Sequence, residues 1–286
     1  MSKKERFDIG IVGYGIVGKA VEYGFKENNN ILFYDKFKKE SSPLEEVVNK
    51  SDFIFMCLPT PFKNERIDLS IMDEAMKEIT KITNNTDKII IIKSTVVPGT
   101  TRNYSKTYPQ SNFCFNPEFL TEKNPNLDFV KSDRIIIGAD NNHVVRKVAD
   151  LYRGTFPETP MFLTDPTTAE MVKYMANCLL ATRVSFANEM CEMCEKLGIK
   201  YEAVKEMVIA DKRMGSSHLD ITSNRGFGGK CLPKDIVALI GLYKEKGVDC
   251  SILESVWKKN LRIRKYQDWN DIPFVNTNKK KTKKNN

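Results

Sequence analysis

The chain reads as an α/β protein: a Rossmann-like, doubly wound parallel sheet followed by an all-helical central domain. Three observations predict this. A glycine-rich turn follows the first strand-like segment. Short apolar runs then alternate with segments of helical spacing through the first half. Near Asp165 the strand-like runs stop and helical periodicity takes over. Strands that alternate with helices and are apolar on both faces belong to a parallel sheet.

The first strand is expected over residues 7–12 (FDIGIV). Gly13-Tyr14-Gly15-Ile16-Val17-Gly18 follows at once, and a helical pattern runs on through Ala20, Val21 and Phe25. This is G-x-G-x-x-G after a strand and opening a helix, the context a dinucleotide site requires. Gly13 allows the tight turn, Gly15 the approach of a pyrophosphate, and Gly18 close packing of helix on strand. A second strand over residues 31–34 ends in Asp35, where a carboxylate binds both ribose hydroxyls of NAD and repels the 2′-phosphate of NADP. Lys36, Lys38 and Lys39 nearby weaken that preference.

Further strands are expected over residues 52–58, 89–93, 113–115 and 134–138, with helices over 71–82 and 144–152. In such sheets ligands bind beyond the carboxyl ends of the strands. Pro59-Thr60-Pro61, Ser94-Thr95 and Asn116-Pro117-Glu118 fall at such ends. Asp165-Pro166 then marks a helix start, Asp as N-cap and Pro at the first helical position. The pattern continues to Leu197 and stops at Gly198. Its apolar residues, among them Met171, Val172, Tyr174, Met175, Leu179, Leu180, Val184 and Phe186, lie all round, so it needs cover from neighbours or a second subunit. A homodimer packed through this helix is the expectation. Lys173 and Asn177 share one face of it.

The stretch Gly226-Phe227-Gly228-Gly229-Lys230-Cys231-Leu232-Pro233-Lys234-Asp235 places one cysteine between a glycine-rich loop and a helix start. Pro233 suits a first helical turn. Helix N–H groups and the flanking Lys230 and Lys234 favour a nucleophilic thiolate at Cys231. A core cysteine is the alternative, weighed against a redox partner encoded by the glycine turn.

Composition narrows the class. The chain has 286 residues, 41% of them hydrophobic, enough for more than one domain. No apolar run is long enough to span a membrane, and the N-terminal Met-Ser-Lys-Lys-Glu-Arg leaves no room for a signal peptide. Seven cysteines without framework spacing suggest a reducing cytoplasm. Cys191 and Cys194 form C-x-x-C within a long helical pattern and read as core. His143 and His218 have no ligand or triad company, so no metal is expected. Five of the charges behind the net +8 are Lys279, Lys280, Lys281, Lys283 and Lys284. That tail reads as a solvated, disordered segment rather than a nucleic-acid or membrane contact.

Taken together these motifs resemble the UDP-glucose/GDP-mannose dehydrogenase family over residues 7–264. Besides the glycine turn and the Cys231 stretch, the resemblance rests on Lys93-Ser94-Thr95-Val96-Val97-Pro98-Gly99-Thr100 and Asn116-Pro117-Glu118-Phe119-Leu120. It rests also on Ala169-Glu170 with Lys173 and Asn177, and on Arg213-Met214-Gly215. Leu232-Pro233-Lys234-Asp235 looks like the UDP-glucose or GDP-mannose branches. The resemblance implies oxidation of a sugar C6 alcohol to a carboxylate with two NAD. It implies that Thr95, Asp235 and Lys173 hold a water, that Cys231 traps the aldehyde, that Lys173 and Asn177 stabilise an oxyanion, and that Glu118 activates the hydrolytic water. It places Ile16, Val17, Thr60, Ser94, Thr95, Glu122 and Lys234 toward the cofactor, with Gly13, Gly15, Gly18 and Asp35. Arg213 lies toward the nucleotide sugar, with Glu118, Phe119, Leu120, Lys173, Asn177, Phe227, Gly228 and Gly229.

The organisation expected is a NAD-binding domain over 1–164, a helical central and dimerisation domain over 165–264, and a polar Lys-rich tail over 265–286. The family carries a third, C-terminal domain that closes over the nucleotide. Residues 251–264 look like the helix leading into it, after which this sequence turns polar and ends. Normal NAD binding with weakened nucleotide-sugar binding is therefore expected. Three readings fit: a compact nucleotide-sugar dehydrogenase, acting on UDP-glucose or in a GDP-mannose dehydrogenase-like way; a non-catalytic NAD-binding or oligomer-forming subunit; and a two-domain hydroxyacid-type dehydrogenase making one oxidation, against which the Cys231 loop speaks.

Overall fold

The computed structural model describes residues 6–276. The lysine tail and the first five residues, with the expectations attached to them, lie outside the described residues. The described residues form two compact units, 6–60 with 69–173 and 61–68 with 174–276.

The chain runs β1 (Asp8–Val12), α1 (Ile16–Phe25), β2 (Asn30–Tyr34), α2 (Leu44–Asn49) and β3 (Phe53–Met56). A hairpin of β4 (Phe62–Lys63) and β5 (Arg66–Ile67) then belongs to the second unit. The first unit resumes with α3 (Ser70–Thr83), β6 (Ile89–Ile92), α4 (Thr100–Thr107), β7 (Asn112–Phe115), α5 (Pro125–Val130), β8 (Ile135–Gly138), α6 (Asn142–Thr155) and β9 (Met161–Thr164). Helix α7 (Pro166–Leu197) begins in this unit and continues into the second, which adds α8 (Tyr201–Ile209), α9 (Leu232–Lys246) and α10 (Ser251–Ile263).

The sheet order is β2-β1-β3-β6-β7-β8-β9. Its central strands β1, β3, β6 and β8 are apolar on both faces because both are covered. Ile9, Ile11, Phe53, Phe55, Ile89 and Ile91 pack with Ala20, Val21 and Phe25 of α1 and Val144 and Val148 of α6. The alternate residues Ile54, Met56, Ile90 and Ile92 pack with Met72, Met76 and Ile79 of α3. Burying each such side chain contributes about 1.5–3 kcal/mol. The register of parallel pairs, Ile11 beside Phe33 and Phe55, Phe55 beside Ile91, keeps like faces together. The order reverses at β1, which puts the turn after β1 at the switch point where such sheets bind ligands.

One feature departs from an all-parallel sheet. β8 pairs antiparallel to β7 through Phe115 and Gly138, and β9 runs parallel to β8. The link from β7 to β8 carries only the short helix α5, which packs on α1 rather than returning the chain to the opposite end of the sheet. β8 therefore starts from the end where β7 stops.

Helix α7 starts and ends as its sequence dictates. Asp165 Oδ1 accepts the N–H groups of Thr167 and Thr168 at 3.0 and 3.1 Å. At the far end Gly198 has φ +68°, and Ile199 N–H bonds Cys194 O at 3.0 Å, a Schellman closure. Buried Glu170 on α7 accepts from Gly99 N–H, Thr101 N–H and the Thr101 hydroxyl at 2.5, 2.8 and 2.6 Å, supplying the acceptors that the first turn of α4 lacks. Among the described residues no helix is long and apolar enough to cross a membrane.

In the second unit, Ala187, Cys191, Cys194 and Tyr201 form a buried cluster, as expected for a core C-x-x-C. Residues 265–276 are not merely a polar exit. They fold back, form a 3-10 turn over Asp268–Asn270, and bury Trp269 and Val275. Phe62 N–H bonds Val275 O at 2.9 Å, which ties this segment to the hairpin.

Candidate active site

The glycine turn in the first unit is the candidate dinucleotide site. Gly13 has φ +93°, and a Cβ there would lie 2.6 Å from Cys57 O. A Cβ on Gly18 would collide with Gly13 O, whereas one on Gly15 would meet nothing within 4 Å. The turn is closed on its inner side and open at the residue preceding α1, where helix N–H groups favour an anion. Ile16 and Val17 open that helix. Asp35 accepts Tyr14 N–H at 2.8 Å and Phe37 N–H at 2.9 Å, so its carboxylate stands beside the turn. The Tyr14 ring stacks on Phe33 at 3.8 Å. These residues fit the adenosine ribose and pyrophosphate of a bound NAD.

Two loops at the same strand ends are cross-tied. The Thr60 hydroxyl donates to Thr95 O at 2.8 Å, and the Ser94 hydroxyl points at Leu58 O at 2.7 Å. Lys93, which follows the four isoleucines of β6, is 4% exposed. Its ammonium donates to Asn116 Oδ1 at 2.7 Å and Pro117 O at 3.2 Å, and lies 5.4 Å from the Phe129 ring centroid. The Tyr152 hydroxyl also donates to Asn116 Oδ1, and Asn116 Nδ2 donates to Ile136 O at 2.6 Å. Burial pushes the Lys93 ammonium down to about 8 against the opposing pull of Cys57 and Glu118. Burial likewise pushes the Cys57 thiol up to about 12.

Glu118 sits next along this loop. Lys173 donates to its Oε1 at 3.0 Å and to its carbonyl at 2.6 Å, while Leu120 N–H bonds Oε2 at 2.7 Å. Their side chains are 3% and 10% exposed. Burial alone would raise the Glu118 carboxyl, but Lys173, the Leu120 N–H and Lys93 more than offset it and hold it below its ordinary range. Glu118 is therefore ionised at neutral pH. The Phe119 ring faces both the Arg134 guanidinium, at 4.1 Å, and the Lys173 ammonium, at 5.4 Å. Glu122 is exposed in the following turn.

The second unit carries the cysteine. Cys231 is the residue that caps α9, half-buried, with Pro233 in the first turn. Behind it Asp235, fully buried, accepts Asn177 Nδ2 at 2.5 Å and Lys234 Nζ at 2.5 Å. The approach loop is held through its backbone: Phe227 N–H and C=O bond the Asn260 amide at 2.7 and 3.0 Å, and Gly226 N–H bonds Asn188 Oδ1 at 3.2 Å. Gly228 and Gly229 follow, half-buried. Arg213 is exposed and paired with Asp211. None of the seven cysteines is in a disulfide.

The sequence-predicted residues thus gather into two groups, Glu118–Phe119–Lys173 in the first unit and Asn177–Lys234–Asp235 with Cys231 in the second. One helix, α7, carries Lys173 and Asn177. Lys93 and Asn116 stood within the quoted motifs without a role. The signal was there in Lys93, a cation directly after a strand buried on both faces.

Comparison with known proteins gives the family. Residues 21–156 match the NAD binding domain of the UDP-glucose/GDP-mannose dehydrogenase family, and residues 167–262 its central domain. A UDP-glucose 6-dehydrogenase of Rickettsia prowazekii is 38% identical over 215 residues, 73% of this chain and 49% of that protein. One from Bacillus subtilis is 35% identical over 225 residues, 76% of this chain and 50% of that protein. The chain spans about half the length of these relatives. The solved structure of a UDP-glucose dehydrogenase from the hyperthermophilic archaeon Pyrobaculum islandicum superposes with a TM-score of 0.82 at 27% identity, over 92% of this chain and 69% of that one.

Proposed function

Given that the chain belongs to the UDP-glucose/GDP-mannose dehydrogenase family, we propose that it oxidises the C6 alcohol of a nucleotide sugar, UDP-glucose in the first instance, to the carboxylate in two NAD-dependent steps. The observation that carries this is Cys231 at the N-terminus of α9 with the buried Asn177–Asp235–Lys234 group behind it. NAD would be held by Gly13, Gly15, Gly18 and Asp35, with Thr60, Ser94 and Glu122 assigned to the same cofactor, and one NAD would accept the hydride in each of the two oxidations.

In the first step the C6 hydroxyl loses its proton to a water held by Thr95, Lys173 and Asp235, and hydride leaves C6 to give the aldehyde. The Cys231 thiolate adds to that carbon, and the resulting oxyanion is stabilised by Lys173 and Asn177. Loss of a second hydride converts the thiohemiacetal into a thioester, and covalent capture keeps the aldehyde from escaping. Glu118 takes a proton from water as it attacks the thioester, releasing the carboxylate and regenerating Cys231. The whole consumes one water and delivers two hydrides per sugar. Phe119, Leu120, Arg213, Phe227, Gly228 and Gly229 are assigned to substrate contact.

A homodimer in a reducing cytoplasm completes the proposal. Met175, Leu179 and Phe186 on α7 are 67%, 56% and 60% exposed in the single chain, more apolar surface than an isolated helix face comfortably leaves to water. Light scattering on the purified chain tests the dimer. Cys231→Ser tests the chemistry: NAD binding persists and acid production is lost. Wild-type acid production by that variant would return Cys231 to the core.

A further inference from the structure

Arg264, its side chain nine-tenths buried, lies outside the family match, which ends at residue 262. Its Nε donates to Tyr266 O at 2.9 Å, Nη1 to Arg225 O at 3.0 Å, and Nη2 to Asp268 Oδ2 at 3.1 Å. The same Asp268 oxygen accepts Gly229 N–H at 3.1 Å. A Cβ on Gly228 would come within 3.0 Å of both the Arg264 guanidinium and the Asp268 carboxylate, so any other residue there would push the ion pair aside. The segment is anchored beyond Asp268 as well. Trp269 is 2% exposed and packs on Trp257, with ring centroids 5.4 Å apart, and Trp257 in turn reaches Phe227 at 6.1 Å.

We propose that Asp268 is a positioning residue for Cys231 and that residues 264–276 form a clamp on the loop carrying it. The carboxylate fixes the backbone at Gly229, two residues before the cysteine. It does so through a charge-assisted bond whose acceptor is itself oriented by Arg264. The Trp269–Trp257–Phe227 contacts hold the clamp against the other end of the same loop. A reactive centre on a loop needs such support, because displacements of about 1 Å cost rate even when every reacting group is present. The inference rests on the nucleophilic role proposed above for Cys231, but its test does not require turnover.

The test uses the full chain and two readouts, amide hydrogen exchange in the peptide spanning residues 226–232 and the rate of iodoacetamide alkylation at Cys231, located by mass spectrometry. Asp268→Ala is expected to speed exchange in that peptide about tenfold or more, the size of one lost hydrogen bond to a charged group. It is also expected to change the Cys231 alkylation rate, while exchange in β6 stays at the wild-type level. Asp268→Asn keeps an acceptor for Gly229 N–H without the charge and is expected to fall between wild type and Asp268→Ala in both readouts. Wild-type exchange and alkylation in Asp268→Ala would overturn the proposal, and so would an asparagine variant as disturbed as the alanine one. If the alanine variant does not fold, Arg264→Lys keeps the charge and loses the guanidinium fork. Faster exchange in that variant supports the clamp, and unchanged exchange overturns it. A chain without dehydrogenase activity still gives these results, so failure of the functional reading is separable from failure of the clamp.

Discussion

Asn177 donates its side-chain amide to Asp235 at 2.5 Å, in a position where Asp235 is fully buried and Lys234 supplies the counter-charge. A buried carboxylate is tolerated when paired and fully hydrogen-bonded, and is costly otherwise. Asp235→Ala leaves Lys234 without its partner, and a loss of about 3–5 kcal/mol in unfolding free energy is expected. Asn177→Ala removes one bond to a charged group and is expected to lose about 1.5–3 kcal/mol. Denaturant unfolding measures both, and losses no larger than those of exposed substitutions would show that the group is not a stabilising unit.

The Glu118–Lys173 pair makes a pH prediction with a definite sign. The folded carboxyl lies below its usual value of 4.5, so the unfolded chain binds a proton more readily than the folded chain as pH falls. The pair's contribution is fully present above that usual value and is lost as pH drops through the folded value. Unfolding free energy measured from pH 7 downward should therefore fall more steeply in wild type than in Glu118→Gln below about pH 4.5. Parallel curves would remove the pairing argument.

Lys93 acts in the opposite window. Its ammonium is depressed from 10.5 to about 8 by burial. Below about 8 both folded and unfolded chains hold the proton and the burial penalty is fully present. Between about 8 and 10.5 only the unfolded chain holds it, so stability rises with pH. Relative to Lys93→Met, wild type is expected to gain about 1.4 kcal/mol per pH unit across that window. A difference that does not change with pH would contradict the placement of this cation.

Cofactor choice should follow Asp35. Its carboxylate stands at the glycine turn, bonded to Tyr14 N–H, a placement expected to favour NAD over NADP. Asp35→Ala should narrow that gap by weakening NAD binding about 1.5–3 kcal/mol and relieving repulsion of the 2′-phosphate. Calorimetry with each dinucleotide measures it, and equal affinity in the unmodified protein would refute the assignment.

Much of this was legible in the sequence, for identifiable reasons. The runs before Gly13, at residues 53–56 and at 89–92 announce themselves because strands buried on both faces are continuously apolar. Asp165, Pro166 and Gly198 punctuate α7 with their own capping chemistry. The β4–β5 hairpin was hidden because its turn residues Asn64 and Glu65 take positive φ, 48° and 59°, without a glycine. Lys244 pairs with Glu65 at 3.0 Å and helps to hold this turn. β9 was missed because Phe162 and Leu163 are both half-exposed and break the alternation. The direction of β8 depends on where α5 packs, a tertiary fact. Within the site, the motif residues could be named, but the ties at Lys93 and Asp268 arise only when loops distant in sequence meet.

The central claim is a double oxidation that passes through Cys231. Purified chain incubated with UDP-glucose and NAD, with NADH and uronate both quantified, tests it most directly. Two NADH per carboxylate with no free aldehyde is the predicted result, abolished as acid production in Cys231→Ser. One NADH per sugar with aldehyde as the end product, or acid formed undiminished by the serine variant, would contradict it.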